Sequence, residues 1–145
     1  MSIRTEIESQ SAGATYFRVD LHIHSFGASH DVRDADQTPA NIVAKAKQDE
    51  ISVVAITDHN EISNVELAIK AAEQAGVVVI PGVELSTPQG HLLVYFRDYG
   101  RLAEFYGKLN IVDRGKPESR CQTGALDCLN LIDPQHGFAI LAHVD

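Results

Sequence analysis

The sequence predicts an α/β protein in which strands and helices alternate. Residues 19–24 read as a strand with alternating side chains, residues 51–57 form a β-branched apolar run, and an amphipathic segment follows each of them. Parallel strands joined through helices place their carboxyl ends at one edge of a sheet or barrel. The sequence therefore predicts a mostly parallel arrangement with its functional site at that edge.

Composition sets the limits within which a function can be sought. The chain has 145 residues, 44% hydrophobic and 22% charged, which is typical of one globular domain. No apolar run approaches a membrane span, so we expect no membrane partner and a cytoplasmic location. The net charge of −8 disfavours a broad nucleic-acid surface, although bound cations would reverse the sign inside a pocket.

We divide the chain into a polar leader, residues 1–15, and one domain, residues 16–145. The first predicted strand has an apolar face and a polar face that carries Asp20, His22 and His24. The two imidazoles lie about 7 Å apart along the strand, a spacing from which both can reach one metal ion. Alone this pattern is weak evidence, because such histidines are more often ordinary hydrogen-bonded residues.

A polar loop over residues 25–36 follows the strand, and either His30 or Asp31 in it is a candidate third ligand. Thr38 and Pro39 then predict the start of an amphipathic helix over residues 40–49. The buried strand at residues 51–57 ends in polar residues, Asp58 and His59 among them.

Residues 63–66 read as a capping box that opens a second helix, which Gly76 ends, and residues 77–80 begin a third strand. Glu84 then stands between two apolar neighbours, where a carboxylate is costly to bury unless it has a cation. A tight turn at residues 87–90 predicts a hairpin that brings His91 close to Glu84.

The last part of the chain is less informative until its final strand. We predict a helix over residues 102–109, a charged solvated loop near residue 116 and a helix over residues 125–132. Cys121 and Cys128 are interpreted as free structural thiols in a helical region. An apolar strand over residues 138–142 ends in His143, whereas His136 precedes that strand and lies at its far end.

Five potential ligands thus close predicted strands: His22, His24, His59, Glu84 and His143. Any one of them is more often structural than functional, but five at one edge by chance is implausible. We therefore predict a metal centre, with His91 and then His30 as further candidates.

The chain resembles the polymerase and histidinol phosphatase (PHP) superfamily. The resemblance rests on five motifs in family order, at residues 20–25 (DLHIHS), 56–60 (ITDHN), 81–86 (PGVELS), 90–96 (GHLLVYF) and 141–143 (LAH). It implies a distorted barrel of about seven strands, two or three divalent ions (zinc, manganese or iron), and hydrolysis of phosphoesters.

Carried onto this chain, the resemblance implies that His22 and His24 bind a first ion, that Glu84 bridges it to a second, and that His91 and His143 complete the second. His59 and either His30 or Asp31 would hold a third. A hydroxide held by the ions would attack phosphorus. Asp58 would orient a ligand or accept a proton.

Two departures from the family pattern affect the expected function. Val144 stands where proline is frequent, and no late Asp-x-His pair follows. A barrel commonly takes about 200 to 250 residues, so we expect an incomplete barrel, the N-terminal portion of a longer protein with a fused C-terminal domain. One alternative is a catalytically incomplete module that serves a fused ATPase or polymerase, and another is hydrolysis of a non-phosphate bond. Nucleotide, nucleic-acid end and small phosphorylated metabolite all stay open as substrates.

Overall fold

A computed structural model gives the fold, and it describes residues 16–143. The predicted leader, residues 1–15, lies outside the described residues, as do Val144 and Asp145. The elements in chain order are β1 (Val19–Ile23), α1 (Pro39–Gln48), β2 (Val53–Ile56), α2 (Val65–Ala72), β3 (Val78–Val79), β4 (Gly82–Thr87), β5 (Gly90–Phe96), α3 (Tyr99–Gly107), β6 (Ile111–Val112), β7 (Arg120–Cys121), α4 (Ala125–Asn130) and β8 (Gly137–Leu141).

The first half of the chain forms a parallel sheet in the order β1-β2-β3, with α1 and α2 as the connections. Both helices bury their apolar sides in one cluster that includes Val43, Val54, Ile56 and Ala68. Thr38 caps α1, since its side chain accepts a hydrogen bond from the backbone of Asn41. This half agrees with the predicted alternation of strands and helices.

The second half differs from the predicted parallel arrangement, because β4, β5 and β8 form an antiparallel sheet. A hairpin turn between Thr87 and Gly90 returns the chain directly, and Gly90 adopts a φ of 131° there. A two-residue turn leaves no length for a helical crossover, which a parallel neighbour would require. The fold is thus mixed α/β.

The two large sheets are joined at the ends of β2 and β4. Asn60 N–H donates to Glu84 O at 2.8 Å, and Glu84 N–H donates to Asp58 O at 3.2 Å. Tyr95 lies between the sheets and its hydroxyl donates to Leu21 O. Residues 16–143 form two three-stranded sheets and the short β6-β7 pair, and within this part of the chain the sheets do not close into a barrel.

Two local predictions fail for tertiary reasons. The capping box at residues 63–66 does not form: Asn64 occupies the N-cap of α2 without a capping bond and donates instead to Ser25 Oγ and Phe26 O. Cys121 lies in β7 and Cys128 in α4, so no single helix holds both, although both are buried free thiols. Among the described helices, none has the length and hydropathy needed to cross a membrane.

Candidate metal centre

Glu84 forms the middle of the site. Its neighbours Val83 and Leu85 pack into the core on one face of β4, so strand alternation directs the Glu84 side chain to the other face. This carboxylate is fully buried, and its Oε2 lies 2.8 Å from His22 Nε2 and 2.7 Å from His24 Nε2. Its Oε1 lies 2.8 Å from His91 Nδ1. Imidazoles from two strands therefore converge on one buried carboxylate.

Three overlapping groups of potential ligands surround this carboxylate. Within each group, the ligand atoms lie within 4.8 Å of one another. The groups are His22, His24 and Glu84; His24, Asp31 and His59; and His59, Glu84 and His91. Because Glu84 and two histidines are shared, the groups form one continuous centre rather than separate sites.

The hydrogen-bonding pattern at this centre fits a cation. His22 Nε2 and His24 Nε2 lie 3.1 Å apart and both contact Glu84 Oε2, so three potential ligand atoms converge on one point. His59 Nδ1 is buried without a hydrogen-bond partner among the described residues. A divalent cation accepts electron pairs from imidazole nitrogen and carboxylate oxygen, so the donor set suits it.

The charges at the centre alter three pKa values. Burial alone would raise the Glu84 pKa, but hydrogen bonds from His24 and His22 outweigh it and hold the pKa well below its usual range. Burial opposes charge on His24, yet its contacts with Glu84 and Asp31 raise its pKa above 6.5. Burial lowers the pKa of His59 to about 4, so this imidazole is neutral at physiological pH and free to ligate.

The loop after β1 brings Asp31 into the centre. Asp31 Oδ2 lies 2.8 Å from His24 Nδ1 and 3.7 Å from His59 Nε2, and Ser29 Oγ donates to Asp31 Oδ1. The His30 ring lies 4.9 Å from that of His59 at a tilt of 38°, but His30 belongs to none of the three ligand groups formed by the described residues. Of the two open candidates, the geometry favours Asp31.

His143 occupies the rim of the centre. Its backbone has a φ of 53°, its side chain is 65% exposed, and its Nε2 lies 3.6 Å from Glu84 Oε1. Its ring lies 5.6 Å from that of His22 and 5.8 Å from that of His91. The structure thus brings His143 to the site, at a longer distance from Glu84 than His22, His24 and His91.

Asp58 lies beside the centre but is not part of the cavity lining. Both of its carboxylate oxygens accept hydrogen bonds at 2.5 Å from Ser25, one from the backbone N–H and one from Oγ. Burial raises its pKa to about 6, although the bonds from Ser25 oppose that rise. Asp58 therefore holds the residue that follows His24 and does not line the cavity above the ligands.

A cavity of about 530 Å³ opens above the ligand groups. Five histidines line it, namely His22, His24, His59, His91 and His143, together with loop residues that include Asp31, Arg33 and Gln37. Sequence reasoning missed Arg33 and Gln37. Gln37 Nε2 donates to His24 O at 2.7 Å, a contact that no local pattern in the loop indicates.

Sequence reasoning also assigned no role to Asn60, although it is buried beside two candidate ligands. Its side-chain oxygen accepts from Ser86 N–H at 2.9 Å and its amide donates to Ser119 O at 3.1 Å. The backbone of Asn60 has a φ of 52°, which asparagine adopts more readily than most residues. The one sequence signal for its role is its position directly after His59 at the end of a strand.

Curated proteins from several microorganisms share sequence with this chain. An uncharacterised protein of Methanocaldococcus jannaschii is 36% identical over 85 residues, which cover 54% of this chain and 50% of that protein. A 5'-3' exoribonuclease of Haemophilus influenzae is 34% identical over 70 residues, covering 48% of this chain and 24% of the enzyme. The chain thus matches half or less of the length of these relatives.

A solved structure and a family model also match this chain. A protein of Bifidobacterium adolescentis, classed as a metal-dependent phosphoesterase, superposes with a TM-score of 0.50 at 21% identity, over 64% of this chain and 33% of that protein. At this identity the likeness concerns the fold. The model of the PHP domain matches residues 20–127, which include all the ligand groups described above. The chain belongs to the PHP domain family.

Proposed function

We propose that this chain hydrolyses phosphoester bonds with the help of two or three divalent metal ions. The observation that carries the proposal is the fully buried Glu84 carboxylate, contacted by three imidazoles within 2.8 Å. Membership of the PHP family and the exoribonuclease relative support phosphoesters as the substrate class. Zinc, manganese and iron all suit mixed nitrogen and oxygen ligands.

The three ligand groups suggest how the ions would be shared. His22 and His24 with one oxygen of Glu84 would hold the first, and His91 with the other oxygen would hold the second, assisted by His143. His59 with Asp31 would hold a third, with His30 as the less favoured loop ligand. Bound ions of this kind activate water and stabilise charge on phosphoryl oxygens.

The protein's own residues would set the geometry for that chemistry. Glu84 would take part in holding two of the ions, because its two oxygens contact different histidines. Asp31 accepts from His24 Nδ1, which leaves Nε2 facing Glu84. Asp58, which is bonded to Ser25 and lies outside the cavity lining, suits the orienting role better than the proton-accepting one.

We propose that the two sheets form part of a barrel of the PHP type, as membership of the family implies. The partial coverage of the relatives also favours a second candidate, a module without catalytic activity that serves a fused domain.

The two buried free thiols suit the cytoplasm, where thiols stay reduced.

The test combines metal analysis with hydrolysis. We expect the purified chain to hold two or more ions after reconstitution with manganese or zinc and to hydrolyse bis-p-nitrophenyl phosphate or p-nitrophenyl phosphate. Glu84→Gln should lower metal affinity by about 100-fold and abolish turnover, because the bridging charge is lost. Glu104→Gln, at an exposed glutamate paired with Lys108, is the control and should change neither.

The outcomes separate the two candidates. Metal with turnover supports the hydrolase, and metal without turnover supports the module that serves a fused domain. A chain that takes up no metal after reconstitution contradicts both.

A further inference from the structure

We propose that Arg33 binds a phosphate oxygen of the substrate at the rim of the metal centre. This inference rests on the proposed function and adds a specificity-determining residue to it. Among residues 16–143, Arg33 is the one lysine or arginine that lines the cavity above the ligand groups.

The Arg33 side chain is available for a ligand. The residue is exposed, and it forms no ion pair with any carboxylate of residues 16–143. Asp34, its neighbour in the cavity lining, instead accepts a hydrogen bond from Asp36 N–H at 2.9 Å. The Arg33 guanidinium, which lies beside the imidazoles without an acidic partner among these residues, is therefore available to bind an anion that enters the cavity.

The backbone around Arg33 is held to the metal centre on both sides. Two residues before it, Asp31 bonds to His24 Nδ1 at 2.8 Å. Four residues after it, Gln37 donates its side-chain amide to His24 O at 2.7 Å, and its backbone N–H to Asp34 O at 3.1 Å. A backbone hydrogen bond from Phe26 N–H to Gln37 O at 2.9 Å joins the two ends of the loop. The loop that carries Arg33 is therefore held close to His24, which reduces the loop entropy lost on binding.

The chemistry of the cavity favours phosphate as the anion. A guanidinium presents paired N–H donors that match two phosphate oxygens, whereas an ammonium acts as a point charge. The cavity volume of about 530 Å³ exceeds what one phosphate group fills, so the substituents of an ester fit as well. Arg33 would stabilise the charge on the oxygens that face away from the ions.

The experiment measures phosphate binding separately from turnover. The manganese-loaded chain is titrated with inorganic phosphate by calorimetry, and manganese content is measured on each sample. Arg33→Ala should raise the Kd for phosphate about tenfold or more with manganese content unchanged, since a charge-assisted hydrogen bond is lost. Arg33→Lys should recover part of the affinity, because it restores the charge without the paired donors. Arg101→Ala, at an arginine on α3 outside the cavity, is the charge-matched control.

The result also separates this inference from the function on which it rests. If Arg33→Ala binds phosphate like the unchanged chain, or loses manganese together with phosphate, the inference about Arg33 is wrong while the hydrolase stands. If the unchanged chain binds manganese but not phosphate, the inference is again overturned. If it binds neither, the metal-dependent function fails and the role of Arg33 fails with it.

Discussion

At the scale of single residues, the centre depends on the pairing of the buried Glu84 carboxylate with imidazoles. A fully buried carboxylate costs several kcal/mol unless it is paired, and Glu84 is paired with imidazoles rather than with lysine or arginine. Imidazole can give up its proton to make room for a metal ion, which lysine and arginine do far less readily. Imidazole partners therefore suit a carboxylate such as Glu84 if a metal ion is to replace the protons of the imidazoles.

The neutral state of His59 leads to a prediction about pH. Burial lowers its pKa to about 4 in the folded chain, whereas an unfolded chain has a histidine pKa near 6.5. As pH falls from about 6.5 towards 4, the unfolded state takes up a proton that the folded state refuses, so stability falls. For the metal-free chain this residue should cost on the order of 2 kcal/mol between pH 7 and pH 5.

Urea denaturation at both pH values, in chelator, checks this. His59→Asn cannot titrate and should lose that part of the pH dependence, while other groups continue to contribute in both proteins. An equal change in unfolding free energy for the two proteins would show that His59 is not held neutral by burial.

At the scale of elements, the loop after β2 positions the site. Asn60 uses its backbone N–H, backbone carbonyl and both side-chain groups in hydrogen bonds, to Glu84, Tyr106, Ser86 and Ser119. These bonds tie the end of β2 to β4, where a parallel bridge pairs His59 with Glu84. Two candidate ligands from different sheets are thereby kept at a fixed separation.

Two substitutions of Asn60 distinguish its backbone role from its side-chain role. Asn60→Ala loses both side-chain bonds and also strains the positive φ, so we expect it to lower the free energy of unfolding by about 2 to 4 kcal/mol. Asn60→Gly loses the bonds but tolerates the φ, and should cost less. Chemical denaturation measures both, and metal titration should show weaker binding in each folded variant. Metal affinity equal to that of the unchanged chain would contradict a positioning role.

At the scale of the whole molecule, the centre lies where the two three-stranded sheets meet. The ligands come from β1, from the loop that follows it, from the end of β2 and from the antiparallel pair β4 and β5. Ions bound by these overlapping groups would connect the parallel and antiparallel halves of the fold. Metal binding should then be linked to global stability as well as to local order.

Thermal unfolding with and without metal tests this linkage. Manganese or zinc at 100 times its Kd should stabilise the chain by about 2.7 kcal/mol per site, raising Tm, and excess chelator should reverse the shift. Glu84→Gln should show a much smaller shift under the same conditions. An unchanged Tm for a chain that demonstrably holds metal would mean that the ions do not connect the two halves.

The sequence by itself determined the secondary structure of the first half and the set of ligand candidates. The alternation of side chains in β1 separates the histidine face from the apolar face. The apolar strands that are followed by His59 and His143 indicate the edge at which the candidate ligands lie. Those signals are local, so they can be read from a single chain. Tertiary structure decided the rest. It made the second sheet antiparallel because the Thr87–Gly90 turn returns the chain at once. It favoured Asp31 over His30, engaged Asn64 with Ser25 and brought Arg33 to the cavity, because loop contacts of this kind follow no helix or strand period.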